Sequence, residues 1–258
     1  MKELPIFFNT AMVESILAGK KGATRRVVPK WQVPQRQNND SDDARYNWMA
    51  IAQRDSRYGF GCFGESELAC VEEMQMFAPC PFGSKGDRLW VREAFIPDPP
   101  SNHSAWDSSK VSYFEWSGCG SKVNAVPAEL QTPDFAIYRA GWSGGDLAWR
   151  PSIHMPRWAC RIILEITGKR LERLQSISDK DIESEGVYSF PLPRPFPKAG
   201  VQVWPGYEAG GRSYLDTALD SFASLWRSTG GDWDSNPWVW VIEFKVLTTN
   251  GVIGKVAI

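Results

Sequence analysis

The stretch Gly19-Lys20-Lys21-Gly22-Ala23-Thr24-Arg25-Arg26 gathers amines, a hydroxyl and guanidinium groups into one turn and the start of one strand. A lysine beside a threonine, with a fixed positive charge next to both, supplies a base, a nucleophile and an anion clamp. In such a set Lys21 is the base, Thr24 the nucleophile and Arg26 the clamp. The role requires a neutral Lys21, which burial and the nearby charges of Arg26 and Lys20 favour. The same composition also describes an ordinary solvated basic turn.

The elements that must hold these groups are legible around them. Met12, Val13, Ile16 and Leu17 recur at the spacing of one buried helical face. Asn9 or Thr10 can cap that helix, and Gly19 can take the left-handed conformation that ends it. Thr24 to Val28 is expected to be extended, so Thr24 and Arg26 share one face and Arg25 takes the other. Lys21 sits in the intervening turn, from which it can fold back over that face.

An acid comes from much further along. Ser178 opens a capping pattern with Asp181, and Gly186 closes it, which puts Glu185 in the last turn of a short helix. A helix dipole disfavours a carboxylate there, so the position suits either a solvated acid or one held for a purpose. Glu183 is its close competitor. A second constellation lies between Trp142 and Trp158. Arg150, His154 and Arg157 interleave with Trp142, Trp149 and Trp158, and Pro151 and Pro156 hold the segment extended. Basic groups for phosphate and flat rings for stacking are what a single-stranded nucleic-acid or nucleotide site requires. Trp158 also fits a core, and His154 serves hydrogen-bonded packing as readily as catalysis.

Composition narrows the classes. The chain has 258 residues, 43% hydrophobic and 23% charged, which is ordinary for a globular protein. A formal net charge of -1 argues against broad nonspecific binding to nucleic acid, so any such contact must come from a local basic patch. No apolar run is long enough to span a membrane, and Met1-Lys2-Glu3-Leu4-Pro5 lacks the apolar core of a secretory signal. A cytoplasmic location with no membrane partner is expected. Cys62, Cys70, Cys80, Cys119 and Cys160 form no C-x-x-C pair, and only His103 and His154 can join them. Reduced, buried thiols are therefore expected in place of a zinc site, and no metal or other cofactor is implied.

Gly19, Lys21, Thr24 and Arg26 resemble the G-x-K-x-x-[E/T]-x-R signature of ASCH domains, which are related to the PUA RNA-binding fold. Lys85 to Val91 resembles that family's Gly-Asp turn leading into a strand. Trp158 to Ile166 resembles its central strand, Leu174 to Glu185 the helix after it, and Trp238 to Phe244 the closing strand. Trp149 to Pro156 and Asn236 to Trp240 are similar to longer members found in phages and prophages. The resemblance implies an α+β fold, a PUA-like (ASCH) β-barrel with flanking helices and long loop insertions. It also implies an RNA- or modified-nucleoside-directed protein. In members that act as amidohydrolases on N4-acylated cytidine, the catalytic lysine, threonine and glutamate match Lys21, Thr24 and Glu185. Arg26, Arg150, His154, Arg157 and Trp149 are then substrate-binding candidates. The alternatives are a non-catalytic module that binds RNA or a modified base, and a ribonuclease acting on single-stranded RNA.

One domain over 1–258 is expected, interrupted at about 29–81, 97–132 and 190–211. The first interruption opens with the polar run Gln35 to Asp43 but regains aromatics (Tyr46, Trp48, Tyr58, Phe60, Phe63) able to pack. The second is rich in Ser, Gly and Asn. The third carries Pro191, Pro193, Pro195, Pro197 and Pro205, which oppose regular helix or central strand. Stretches this long without regular structure usually act as lids or stay disordered. Beyond them, Tyr214, Leu215, Ala218, Leu219, Phe222 and Leu225-Trp226 trace a helical stripe over about 213–227, closed by Gly230-Gly231. Trp238 to Lys245 alternates as a strand whose faces are both largely apolar at first.

Overall fold

A computed structural model describes residues 1–37, 43–53, 59–100, 103–104, 126–192, 200–207 and 213–252. The expectations for Tyr58, Cys119, Pro193, Pro195, Pro197, positions 38–42 of the polar run and most of 97–132 fall outside them. The chain begins with β1 (Glu3–Phe7), α1 (Thr10–Leu17), β2 (Ala23–Val27), β3 (Gln35–Arg36), β4 (Trp48–Gln53), β5 (Phe60–Gly64) and α2 (Glu67–Phe77). There follow β6 (Arg88–Arg92), β7 (Phe95–Pro97), β8 (Ala136–Tyr138), β9 (Ile163–Arg173) and α3 (Asp179–Ser184). The last elements are β10 (Phe190–Pro191), β11 (Gln202–Gly206), β12 (Ser213–Leu215), α4 (Ala218–Ser228) and β13 (Trp238–Thr248). The architecture is mixed α+β. Among the described residues no closed barrel is found.

Two compact units divide the chain, one from 1–22, 86–166 and 244–258, the other from 23–85 and 167–243. In the first, β1 pairs parallel with β6, β6 pairs antiparallel with β9, and β7 pairs with β8. Asn9 caps α1 by accepting the Met12 N–H at 2.9 Å, and Gly19 ends it with φ 69°. Leu89 and Val91 point inward, while Phe95, Met155, Ala159, Cys160 and Ile163 form a core patch against which Trp90 and Trp158 pack. Trp158 lies in a short 3-10 turn, Arg157–Ala159, so the strand expected from it begins instead at Ile163. Pro156, immediately before that turn, favours it over a ladder.

In the second unit β2 pairs antiparallel with β13, β3-β4-β5 form one small sheet and β10-β11-β12 another. The first interruption is thus not structureless. Its aromatic half folds as a β4–β5 hairpin covered by α2, burying Ala50, Cys62, Cys70, Val71 and Met74 with Trp238 and Trp240. Gly64 allows the close approach, because a Cβ there would stand 2.8 Å from the Ala69 carbonyl carbon. Pro205 sits in β11 where only β12 pairs with it, so its missing N–H breaks no ladder. The helical stripe expected from residue 213 starts later. Tyr214 and Leu215 belong to β12, and Thr217 caps α4 by accepting the Asp220 N–H. Leu174–Ser176 is likewise a 3-10 turn, and α3 follows as a separate helix.

Buried polar groups in this unit are tightly matched. Gln32, fully buried, donates to the carbonyls of Ala52 (3.1 Å) and Pro79 (3.2 Å) and accepts the Trp240 indole N–H at 3.0 Å. Replacing Gln32 with leucine keeps the volume but strands these partners, so a loss of about 2–3 kcal/mol in urea unfolding is expected. An unchanged midpoint would show that the site relaxes to admit water.

Candidate functional site

The centre of the second unit's chemistry is Arg25. The expected alternation holds in β2: Thr24 lies opposite Ile242, Arg25 opposite Val241 and Arg26 opposite Trp240. The Arg25 side chain is fully buried. Its Nε and Nη2 both donate to Glu172 Oε1, at 2.9 and 2.5 Å, and its Nη1 donates to Glu185 Oε1 at 3.1 Å. Asp181 adds an ion pair at 3.6 Å. Arg170 closes the network by donating to Glu172, Asp181 and Glu243. Charge-assisted bonds of this kind let carboxylates stay ionised where burial opposes it. Asp181 shows the balance: burial pushes its carboxyl up, but Ser178, Arg170 and Arg25 hold it below the usual value.

Glu185 follows α3 directly as its C-cap residue, and Gly186 turns the chain with φ 93°. The acid is 5% exposed, whereas Glu183 faces solvent. Arg25 supplies the positive charge that the helix end lacks. Thr24 is 2% exposed in β2. Arg26 is half-buried; burial pulls its guanidinium down from its usual value, and the Glu185 carboxylate opposes that pull. Thr24, Arg26 and Glu185 therefore belong to one unit, with Arg26 and Glu185 close enough to act on each other electrostatically. Sequence reasoning missed Arg25, Glu172, Asp181 and Arg170 as the groups that hold the acid.

Lys21 belongs to the first unit. It is 2% exposed, with Nζ 5.8 Å from the centre of the Phe8 ring. The aromatic and basic constellation also lies in this unit and divides into parts. Trp142 and Trp149 meet edge to face at 6.0 Å, and the Trp142 indole donates to the Gly145 carbonyl. Arg150 bridges by backbone to Phe95, and His154 is exposed at the end of a 3-10 turn. Arg157 grips both oxygens of Glu3, at 2.9 and 3.0 Å, and holds that carboxyl below its usual range. Its guanidinium lies over Trp90, which the sequence reading had not grouped with it.

Among the described residues no group of three or more metal-ligating side chains comes together. Cys62, Cys70, Cys80 and Cys160 are buried free thiols, each pushed up to about 11 chiefly by burial. No helix among the described residues is long and apolar enough to cross a membrane. Comparisons of the chain with protein-family models, with curated proteins and with solved structures give no match.

Proposed function

We propose that the chain is an ASCH-type protein with a PUA-like barrel ancestry that hydrolyses the amide of an N4-acylated cytidine. The carrying observation is the buried Glu185, bonded by Arg25 in the unit that also buries Thr24. A carboxylate withdrawn from water at the unfavourable end of a helix, and supported by an arginine network, suits positioning a polar group better than solvation. The resemblance of the Gly19 to Arg26 signature supplies the reaction class.

In this reading the resemblance of the signature gives Lys21 the role of taking the Thr24 proton. The threonine oxygen then bonds to the acyl carbon, giving a tetrahedral oxyanion that Arg26 stabilises. Collapse breaks the C–N bond and the lysine proton passes to the departing cytidine amine, which Glu185 orients. Water then attacks the threonine ester, releasing the carboxylic acid and restoring the hydroxyl. Arg25 acts through Glu185 as a positioning group.

The test is direct. Purified protein mixed with N4-acetylcytidine should release cytidine and acetate, followed by chromatography, and Glu185→Gln should cut the rate by roughly two orders of magnitude. Absence of cytidine release by the unaltered protein would remove the hydrolase reading.

A further inference from the structure

Where β5 meets α2, the second unit carries a cavity whose lining takes no part in the hydrolase reading. Alternation in β5 buries Cys62 and Gly64 and leaves Phe63 exposed. Before β4, Asp43 caps the 3-10 turn Ala44–Tyr46 by accepting the Arg45 N–H at 3.1 Å. That turn stands Tyr46 edge to face with Phe63, their ring centres 5.3 Å apart at 75°. The two rings, Gly64, Ala69 and the acids Glu65 and Glu73 line an open cavity of about 390 Å³. Glu73 accepts the Phe63 N–H through one carboxylate oxygen, which fixes the acid against the strand. Arg45 lines the cavity too, with its guanidinium 5.9 Å from the Tyr46 ring centre. Its Nε and Nη2 donate to Asp43 Oδ1 and Oδ2 at 3.0 and 2.6 Å.

We propose that this cavity binds the guanidinium group of an arginine presented by a partner polypeptide. Asp43, Glu65 and Glu73 set three carboxylates against the single charge of Arg45, which Asp43 already engages. That excess favours a cation over a phosphate or any other anion. Aromatic faces beside carboxylates suit a planar guanidinium, which stacks and forks at once, better than a compact, strongly hydrated ammonium. Arg45 makes both kinds of contact within the chain, to a ring and to a carboxylate. The polypeptide follows from the surface alongside. Ala69 and Glu73 of α2 reach the cavity, and the outer side of the same helix exposes Leu68, Met76 and Phe77 by 60, 71 and 61%. Leu68, Glu72 and Met76 follow one another at four-residue steps, as do Glu73 and Phe77, so apolar and acidic groups alternate along it. Apolar and basic side chains in alternation match that surface, whereas a free small cation leaves its apolar members in water. The flexible thioether of Met76 adapts to such a partner.

Fluorescence anisotropy of a short labelled peptide alternating arginine and leucine tests this. Matched peptides carry citrulline or lysine in place of arginine, or serine in place of leucine. Binding of the arginine–leucine peptide, weakened by salt, is expected. Citrulline, neutral but of the same shape, should weaken it roughly tenfold, lysine about threefold and serine roughly tenfold. Phe63→Ala should weaken it about threefold through the lost ring face, and Glu65→Gln about as much through the lost charge. Phe63→Leu keeps an apolar strand residue and should weaken binding equally, which separates the ring from the fold. Leu68→Ser combined with Met76→Ser, both at exposed positions, should weaken the leucine peptide and leave the serine peptide unchanged. Equal binding of the lysine peptide overturns the guanidinium assignment, and N-acetylarginine amide competing as well as the peptide overturns the polypeptide partner. The cavity itself is ruled out as a site by no binding at low salt, by equal binding of the citrulline peptide, or by folded Phe63 and Glu65 variants that bind unchanged.

Discussion

Arg25→Met lowers the free energy of unfolding by about 3–5 kcal/mol, the largest stability loss expected from a single substitution in the second unit. Methionine fills much of the arginine's volume, so the loss reports charge more than cavity. Glu172 retains Arg170 through its other oxygen, but Glu185 loses the guanidinium that bonds it. An acid 5% exposed then loses a charge-assisted hydrogen bond away from water, although the nearby Arg26 charge remains. The double variant Arg25→Met with Glu185→Leu should recover part of the loss, since it removes both buried charges. Urea unfolding of the two variants beside the parent checks this. A single-variant loss below about 1 kcal/mol would place the network in the weak class of solvated ion pairs.

Thr24→Ala is expected to lower N4-acetylcytidine turnover by roughly three orders of magnitude, since removing a nucleophile disables the steps that depend on it. The substitution removes a methyl and a hydroxyl from a buried strand position, so the melting midpoint should fall by only about 4–8 °C. Thr24→Ser should keep measurable turnover, because it retains the oxygen while losing the χ1 restriction of a β-branched side chain. An alanine variant that releases cytidine at the parental rate removes Thr24 from the mechanism, whatever the fate of Glu185.

What the sequence made legible is local. Asn9 and Ser178 capped their helices as expected, Gly19 and Gly186 adopted the positive φ that closes them, and Thr24 to Arg26 formed a strand. Each depends on neighbours a few residues away. The partners of Arg25 were hidden, because Glu172 and Glu185 lie 147 and 160 residues further on. Alternation sent Arg25 to the face opposite Thr24, and nothing local showed which acids stood there. Tyr214 and Leu215 fitted a helical stripe equally well as a strand, since two apolar neighbours satisfy either period. The aromatics after the polar run signalled packing, but not that their sheet would meet Trp238 and Trp240, nearly the whole chain away.

The second unit is assembled from 23–85 and 167–243, with the whole of 86–166 between them. During synthesis its early half must therefore wait for roughly 80 residues to leave the ribosome, on the order of 4–16 s at ordinary elongation speeds. Gln32 spends that interval without Trp240, whose indole is made 208 positions later. A nascent chain stalled before residue 167 exposes a β4–β5 hairpin and the apolar side of α2 with half their cover missing, which makes that interval the natural point for a chaperone to engage.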